Sequence, residues 1–387
     1  MKKEFNGQRL KEARLYNKMS ITTLAERLQV TKQMISKYEN GKSEPTTEKS
    51  LKLHDILNYP REFFYTSENY SYTSQGTFFR SRITATKKSK QPAEFLLKYA
   101  LVIRAFLDEY VEFPKLLDIS NKSFDNNPEN CANLLRTILE LGELPINDML
   151  ELMETIGIVV VKLDYSEKKV DAFSCTTILN NRHYFAVVTG NKQSFFRQQF
   201  SLAHELGHWF LHQDYNPQEL DKEEYKLMEK EANHFAASFL MPAHSFGEDL
   251  KKTNLSLESL INLKHKWNVS LSSIIERGYQ LEIISSDKRS NLYRKMNYHN
   301  FRKVEPLDLE TPIPEPLALS QAIELLIEEN IMSGFEIRKK IMDTYNLYIT
   351  QDMMADVCNV SPYTFSPKNS INLKLKVKNY FKDEKNN

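Results

Sequence analysis

Cysteine is scarce. The chain has three, Cys131, Cys175 and Cys358, an odd number at wide spacing. They form neither a C-x-x-C metal knuckle nor a disulfide framework, which fits a reducing compartment. An excess of one charge sign is missing too: 52 Lys+Arg stand against 51 Asp+Glu, so any nucleic-acid contact must come from a local basic patch. No run approaches the roughly 18 consecutive apolar residues that a membrane helix needs. The start, "MKKEFNGQRLKEAR", has two lysines without the apolar stretch of a signal peptide behind them. A cytoplasmic location with no membrane partner is expected. No internal repeat is present. What remains is 387 residues, 41% hydrophobic and 27% charged, an ordinary globular make-up with room for two or three domains.

The basic patch lies at the beginning. Residues 1–60 carry 12 Lys/Arg against 7 Asp/Glu, an excess of five positive charges in an otherwise balanced chain. The same stretch reads as short helices. Leu10, Ala13 and Leu15 have helical spacing; Ser20 and Thr31 are N-caps; Gly41 and Pro45 are stop signals. "LKEARLYNKMSITTLAERLQVTKQMISKYENGKSEP" resembles the helix-turn-helix domain of the XRE (Cro/repressor-like) family. Two helices crossing at a tight turn want a small residue early in the first, and Ala25 sits there, with Val30 closing the turn and Ile35 packing back. The second helix can then present Lys32, Gln33, Ser36 and Lys37 to base edges in the major groove, with Asn40 and Lys42 on the phosphates. Operator DNA is the expected partner, and two-fold operators would call for a homodimer.

A second motif lies mid-chain. In "RQQFSLAHELGHWFLHQDY", His204 and His208 are four apart, so on a helix both imidazoles leave one face and can bind one ion. Glu205 can reach a metal-bound water without being a ligand, and serve as general base. A third protein ligand is needed. The H-E-x-x-H-x-x-G-x-x-H class is excluded, because Leu211 and Asp214 occupy its last two positions. The alternative is a Glu on the next helix, where "LMEKEANHFAASFLMP" offers Glu229 and Glu231. Glu229 is preferred because Asn233 follows one turn later and can orient a histidine ligand; Glu231 is the fallback.

"RQQFSLAHELGHWFLH", then "EKEANHFAASFLMP", preceded by "PINDMLELMETIGIVVV" and "DAFS", resembles the ImmA/IrrE metallopeptidases over about residues 135 to 285. That resemblance implies zinc (Zn2+) held by His204, His208 and Glu229, Glu205 as base, and cleavage of a regulatory protein, typically a repressor. An antitoxin-like regulator is a further candidate substrate.

Other residues carry simpler readings. His212 continues the helical face, but the rise over eight residues is about 12 Å, too far from His204 to share an ion, so it reads as packing. His234 and His244 read as structural or surface groups. Trp209, Phe210, Phe235 and Phe239 read as packing between the two metal-bearing helices. "ELDKEEYKLMEKE" reads as a solvated face. Tyr184, Arg277 and Tyr279 remain open as oxyanion donors. "LKHKWNVSLSSIIERGYQL" has some helix-turn-helix character and is read as a helical cap on the peptidase domain.

The expected fold class is α+β and mostly helical. A five-helix-type helix-turn-helix domain spans 1–66, and a linker with an amphipathic helix (93–118) spans 67–134. A zincin-like peptidase domain with a small sheet near 158–190 spans 135–285, and a helical region spans 286–387. The expected function is a DNA-binding regulator with a zinc endopeptidase domain. Its rivals are a metal- or ligand-sensing transcription factor without turnover and a toxin–antitoxin-type autorepressor.

Overall fold

Capping side chains start the first four helices. Asn6 accepts from the backbone N–H of Gln8 to open α1 (Gly7–Tyr16). Ser20, Thr31 and Thr46 each accept from the N–H three residues on, opening α2 (Ile21–Leu28), α3 (Lys32–Glu39) and α4 (Thr47–Leu57). A one-turn 3-10 helix, Arg61–Tyr65, completes a five-element unit. The computed structural model describes residues 4–67, 69–79, 87–119, 125, 127–163, 172–190, 194–212 and 220–367.

The next segment departs from the expected linker. Tyr72–Phe79 is a strand, β1, paired antiparallel to β3 (Ala172–Leu179). The following helix, α5, runs Lys87–Leu107 rather than 93–118. It is not amphipathic where it is best packed, since every residue from 99 to 107 is buried. The reason is tertiary: α1, the sheet and the last three helices enclose it.

After α6 (Pro128–Ile138) and α7 (Met149–Thr155), the chain turns at Gly157, whose φ is +83°. A Cβ there would lie 2.3 Å from the Leu116 backbone nitrogen, so no other residue fits. Then come β2 (Val159–Leu163), β3 and β4 (Arg182–Gly190). The sheet order is β1-β3-β4-β2, with β2 parallel to β4. Asn180 and Asn181, both at positive φ, make the two-residue turn of the β3–β4 hairpin.

The sheet is a wall between two cores. Side chains alternate along each strand, so Val159, Val161, Phe173, Cys175, Ala186 and Val188 pack with α1–α5 and the C-terminal helices. Val160, Phe185 and Val187 face the other way, into a core built on α8 (Phe195–Leu211) and α9 (Lys222–Leu240). That second core also takes α10 (Ala243–Lys251), α11 (Leu257–Trp267), α12 (Leu271–Gln280) and α13 (Ser286–Tyr298). Asn268, left-handed at φ +54°, turns α11 into α12, so "LKHKWNVSLSSIIERGYQL" packs beside the α8–α9 pair.

The remaining helices are α14 (Ala318–Glu328), α15 (Gly334–Tyr345) and α16 (Gln351–Cys358). They return to the first core. Arg9 Nη2 donates to the Asn346 carbonyl at 3.4 Å, and the Tyr59 and Tyr348 rings lie 5.6 Å apart. The described residues thus form a mostly helical α+β structure with sixteen α-helices and a four-stranded sheet. No helix among them is long and apolar enough to cross a membrane.

Candidate metal centre and DNA-binding surface

Helix α8 is buried almost all round: every residue from 201 to 210 is buried, His204, Glu205 and His208 included. A helix in that position is normally apolar, because buried polar groups cost free energy unless they are paired. Its polar side chains therefore have to be satisfied locally. Gln199 does this structurally, accepting from the Met149 N–H at 2.7 Å. The other group is different in kind. His204 Nε2 and His208 Nε2 lie 3.0 Å apart, and the Glu229 carboxylate reaches each at 3.5 Å. Among the described residues, His204, His208 and Glu229 are the set whose ligand atoms fall within 4.8 Å of one another.

These distances fit an ion. Zinc bonds to His and carboxylate of about 2.0–2.1 Å in a tetrahedron put neighbouring ligand atoms about 3.3 Å apart, close to the edges of this triangle. Electrostatics agree. Burial works against the charge of Glu229, but hydrogen bonds and charge from His204 and His208 outweigh it and hold the carboxyl well below its usual range.

The close approach of the two helices depends on Gly207. A Cβ there would meet Phe235 Cδ1 at 3.0 Å and the Ala232 carbonyl at 3.2 Å. Phe210 stacks on Phe235 and Phe235 on Phe239, each pair at 5.7 Å, closing the seam.

Near the start of the chain, α3 has one buried and one exposed face. Its own Ile35 is buried, as are Leu24, Ala25 and Leu28 of α2, while Val30 packs at the edge of the same core. Lys32, Gln33, Lys37, Asn40 and Lys42 are exposed and Ser36 half-buried, all along one surface. Asn40 Nδ2 donates to the Ser36 carbonyl at 2.7 Å.

Residues 153–278 match the family model of the IrrE N-terminal-like domain, an M78 peptidase family, and residues 10–64 match that of a helix-turn-helix domain. The chain carries a helix-turn-helix domain and an IrrE-type domain. No curated protein matches it. A Mycobacterium tuberculosis transcriptional regulator of solved structure is similar at 17% identity and a TM-score of 0.27, over 46% of this chain and 51% of that one. The chain thus spans about half the length of that relative.

Within the IrrE-type domain the structure adds residues that spacing did not reveal. Ser174, from β3, donates to Glu205 Oε2 at 2.5 Å inside the protein. Only the quoted "DAFS" pointed near it. His212 is more than packing: its Nδ1 faces His208 Nδ1 at 3.2 Å and its Nε2 faces Glu231 at 3.0 Å. Burial, with His208 beside it, lowers the pKa of His212 to about 4. Glu231, the fallback ligand, is thereby engaged with His212. Asn233 does not orient a histidine: its amide donates to the Glu229 backbone carbonyl at 2.7 Å. A helical turn brings that carbonyl nearer than any imidazole.

A cleft of about 760 Å³ opens beside Glu229, lined by Tyr225, Lys230, His234 and Arg277 among others. The acidic run of α9 is not wholly solvated, since Glu229 faces His204 and His208 and Glu231 faces His212. His234 faces Glu129 at 3.2 Å, and Arg277 grips the same carboxylate through two bonds of 2.6 and 2.8 Å. Of the oxyanion candidates, Arg277 alone lines this cleft. Tyr184 lies on the far face of the sheet, donating to Asp108 at 2.7 Å. Tyr279 lies under Arg289, 4.7 Å from the guanidinium carbon. His244 is exposed on α10.

Proposed function

We propose that the protein is a DNA-binding transcriptional regulator whose IrrE-type domain is a zinc endopeptidase acting on a regulatory protein, a repressor or an antitoxin-like partner. The observation that carries this reading is the His204–His208–Glu229 triangle with the Glu205 carboxylate one residue from its first corner. His204, His208 and Glu229 would hold the ion. Zinc, when bound, supplies Lewis acidity that polarises a peptide carbonyl and acidifies water.

The chain's own residues do the rest. Ser174 holds Glu205 Oε2, so the carboxylate is oriented before substrate arrives. Its other oxygen, Oε1, takes the proton of the attacking water and returns it to the departing amine. The cleft beside Glu229 receives the polypeptide. Lys32, Gln33, Ser36 and Lys37 read bases, while Asn40 and Lys42 hold phosphates. The protein works in the cytoplasm, as a dimer on two-fold operators.

The test compares the proteomes of cells carrying the wild type, Glu205→Gln and His204→Ala. A regulator whose fragments appear with the wild type alone supports the reading, provided Glu205→Gln retains zinc and His204→Ala loses it. Unchanged cleavage by Glu205→Gln overturns the mechanism. A sensor without turnover is the second reading. It is favoured by the sheet, whose two faces join the metal helices to the core shared with the DNA-binding helices. Zinc-dependent operator binding with no cut protein would select it.

A further inference from the structure

Two facing nitrogens in the second layer of the site have a consequence for the first. His208 Nδ1 and His212 Nδ1 lie 3.2 Å apart in the interior, and His212 Nε2 lies 3.0 Å from Glu231 Oε2. A neutral imidazole has one N–H and one lone pair, and an ionised carboxylate only accepts. Glu231 therefore requires the proton of His212 on Nε2. That leaves His212 Nδ1 as an acceptor, so the single hydrogen between the two Nδ1 atoms belongs to His208. His208 thus carries a hydrogen on Nδ1, and Nε2, the atom that faces His204 Nε2 and Glu229 Oε1, is its ion-facing nitrogen.

We infer that Glu231 and His212 form a relay that fixes the tautomer and ring orientation of His208, making His212 a positioning residue for the metal centre. The inference rests on the proposed reading of His204, His208 and Glu229 as ligands. It explains why two glutamates two residues apart on α9 both turn toward α8: Glu229 closes the triangle and Glu231 supports it from behind. Without the relay, His208 can place its proton on Nε2 and abolish its own lone pair there. A ligand's partner of this kind commonly sets metal affinity. The local sequence is compatible, because 204, 208 and 212 follow one helical face. No ion contact by His212 is required.

The experiment is zinc titration against a competing chelator, on the full chain and its variants, together with ¹⁵N-histidine spectra of the wild type. His212→Leu is expected to bind zinc about 10- to 100-fold more weakly with its helical circular dichroism unchanged, and Glu231→Leu to shift in the same direction. His212→Gln should recover part of the loss, because its amide oxygen can accept from His208 Nδ1–H; a purely space-filling role would give no such recovery. The spectra should show His208 protonated on Nδ1 and His212 on Nε2. A proton on His212 Nδ1, or a folded His212→Leu whose zinc affinity stays within about twofold of wild type, overturns the relay. Should His212→Leu fail to fold, Glu231→Leu decides, since that side chain is 32% exposed and can be replaced without a buried gap. A wild-type chain that takes up no zinc refutes the proposed function instead. The two failures remain distinct, because the spectra of metal-free protein still show which nitrogens carry protons.

Discussion

Ser174 donates its hydroxyl hydrogen to Glu205 Oε2 at 2.5 Å, across a buried contact between β3 and α8. The serine lies on a strand whose neighbours on either side, Phe173 and Cys175, face the opposite core. Its side chain is therefore turned toward α8 by strand alternation alone. A carboxylate with no solvent exposure is tethered by it.

Removing that tether should cost stability. Ser174→Ala deprives a buried charged acceptor of a donor, which costs about 1–3 kcal/mol. Urea unfolding should show a lower midpoint with an unchanged slope, and the variant should still take up zinc. An unchanged midpoint would mean that the bond contributes nothing.

Gly207 controls the spacing of α8 and α9. Gly207→Val would drive Cβ and two further carbons into Phe235 and the Ala232 carbonyl, and overpacking of this kind costs about 1–3 kcal/mol. Pushing α9 away also withdraws Glu229 from His204 and His208. Thermal melting temperature and zinc affinity should fall together, with Gly207→Ala milder on both.

Glu129 ties three helices through His234 and Ser238 on α9 and Arg277 on α12. Burial opposes its charge, but the bonds from His234, Arg277 and Ser238 and the charge of Arg277 prevail, and its pKa lies well below the ordinary 4.5. A depressed carboxyl contributes stability that is full above the unfolded value and is lost as pH falls toward the folded one. Glu129→Ala, leaving buried Arg277 without its counter-ion, should cost about 3 kcal/mol at pH 7. That gap between variant and wild type should shrink as denaturation is repeated from pH 5 downward. A gap that stays constant with pH would refute the assignment.

On the DNA side the exposed residues of α3 divide by chemistry. Lys37→Ala should weaken binding to all sequences alike and reduce the salt dependence by about one counter-ion. Gln33→Ala should cost about 1–3 kcal/mol at one base pair and relax preference there. Fluorescence anisotropy over a salt series, on the selected operator and on mismatched duplexes, separates the two effects.

Much of the architecture is readable from local pattern. Ser20 and Thr31 announce their helices because a cap is a contact over three residues. The β-branched run after Gly157 announces β2 for a similar reason. Strand β1 escaped because "SYTSQGTFF" is polar and turn-rich, and it is a strand only through pairing with β3, about a hundred residues away. The all-round burial of α5 over residues 99–107 escaped because burial on every side depends on what the rest of the chain wraps around it.

The centre divides in the same way. His204 and His208 share a face whatever surrounds them, since 3.6 residues per turn is a property of the backbone. That Glu229 turns toward that pair, that Glu231 turns instead to His212, and that Ser174 reaches Glu205 from 31 residues away are matters of how α8, α9 and β3 pack. Periodicity records how one segment meets water and core. It holds no information about which distant side chain will occupy the space beside it, and for that the whole chain has to fold.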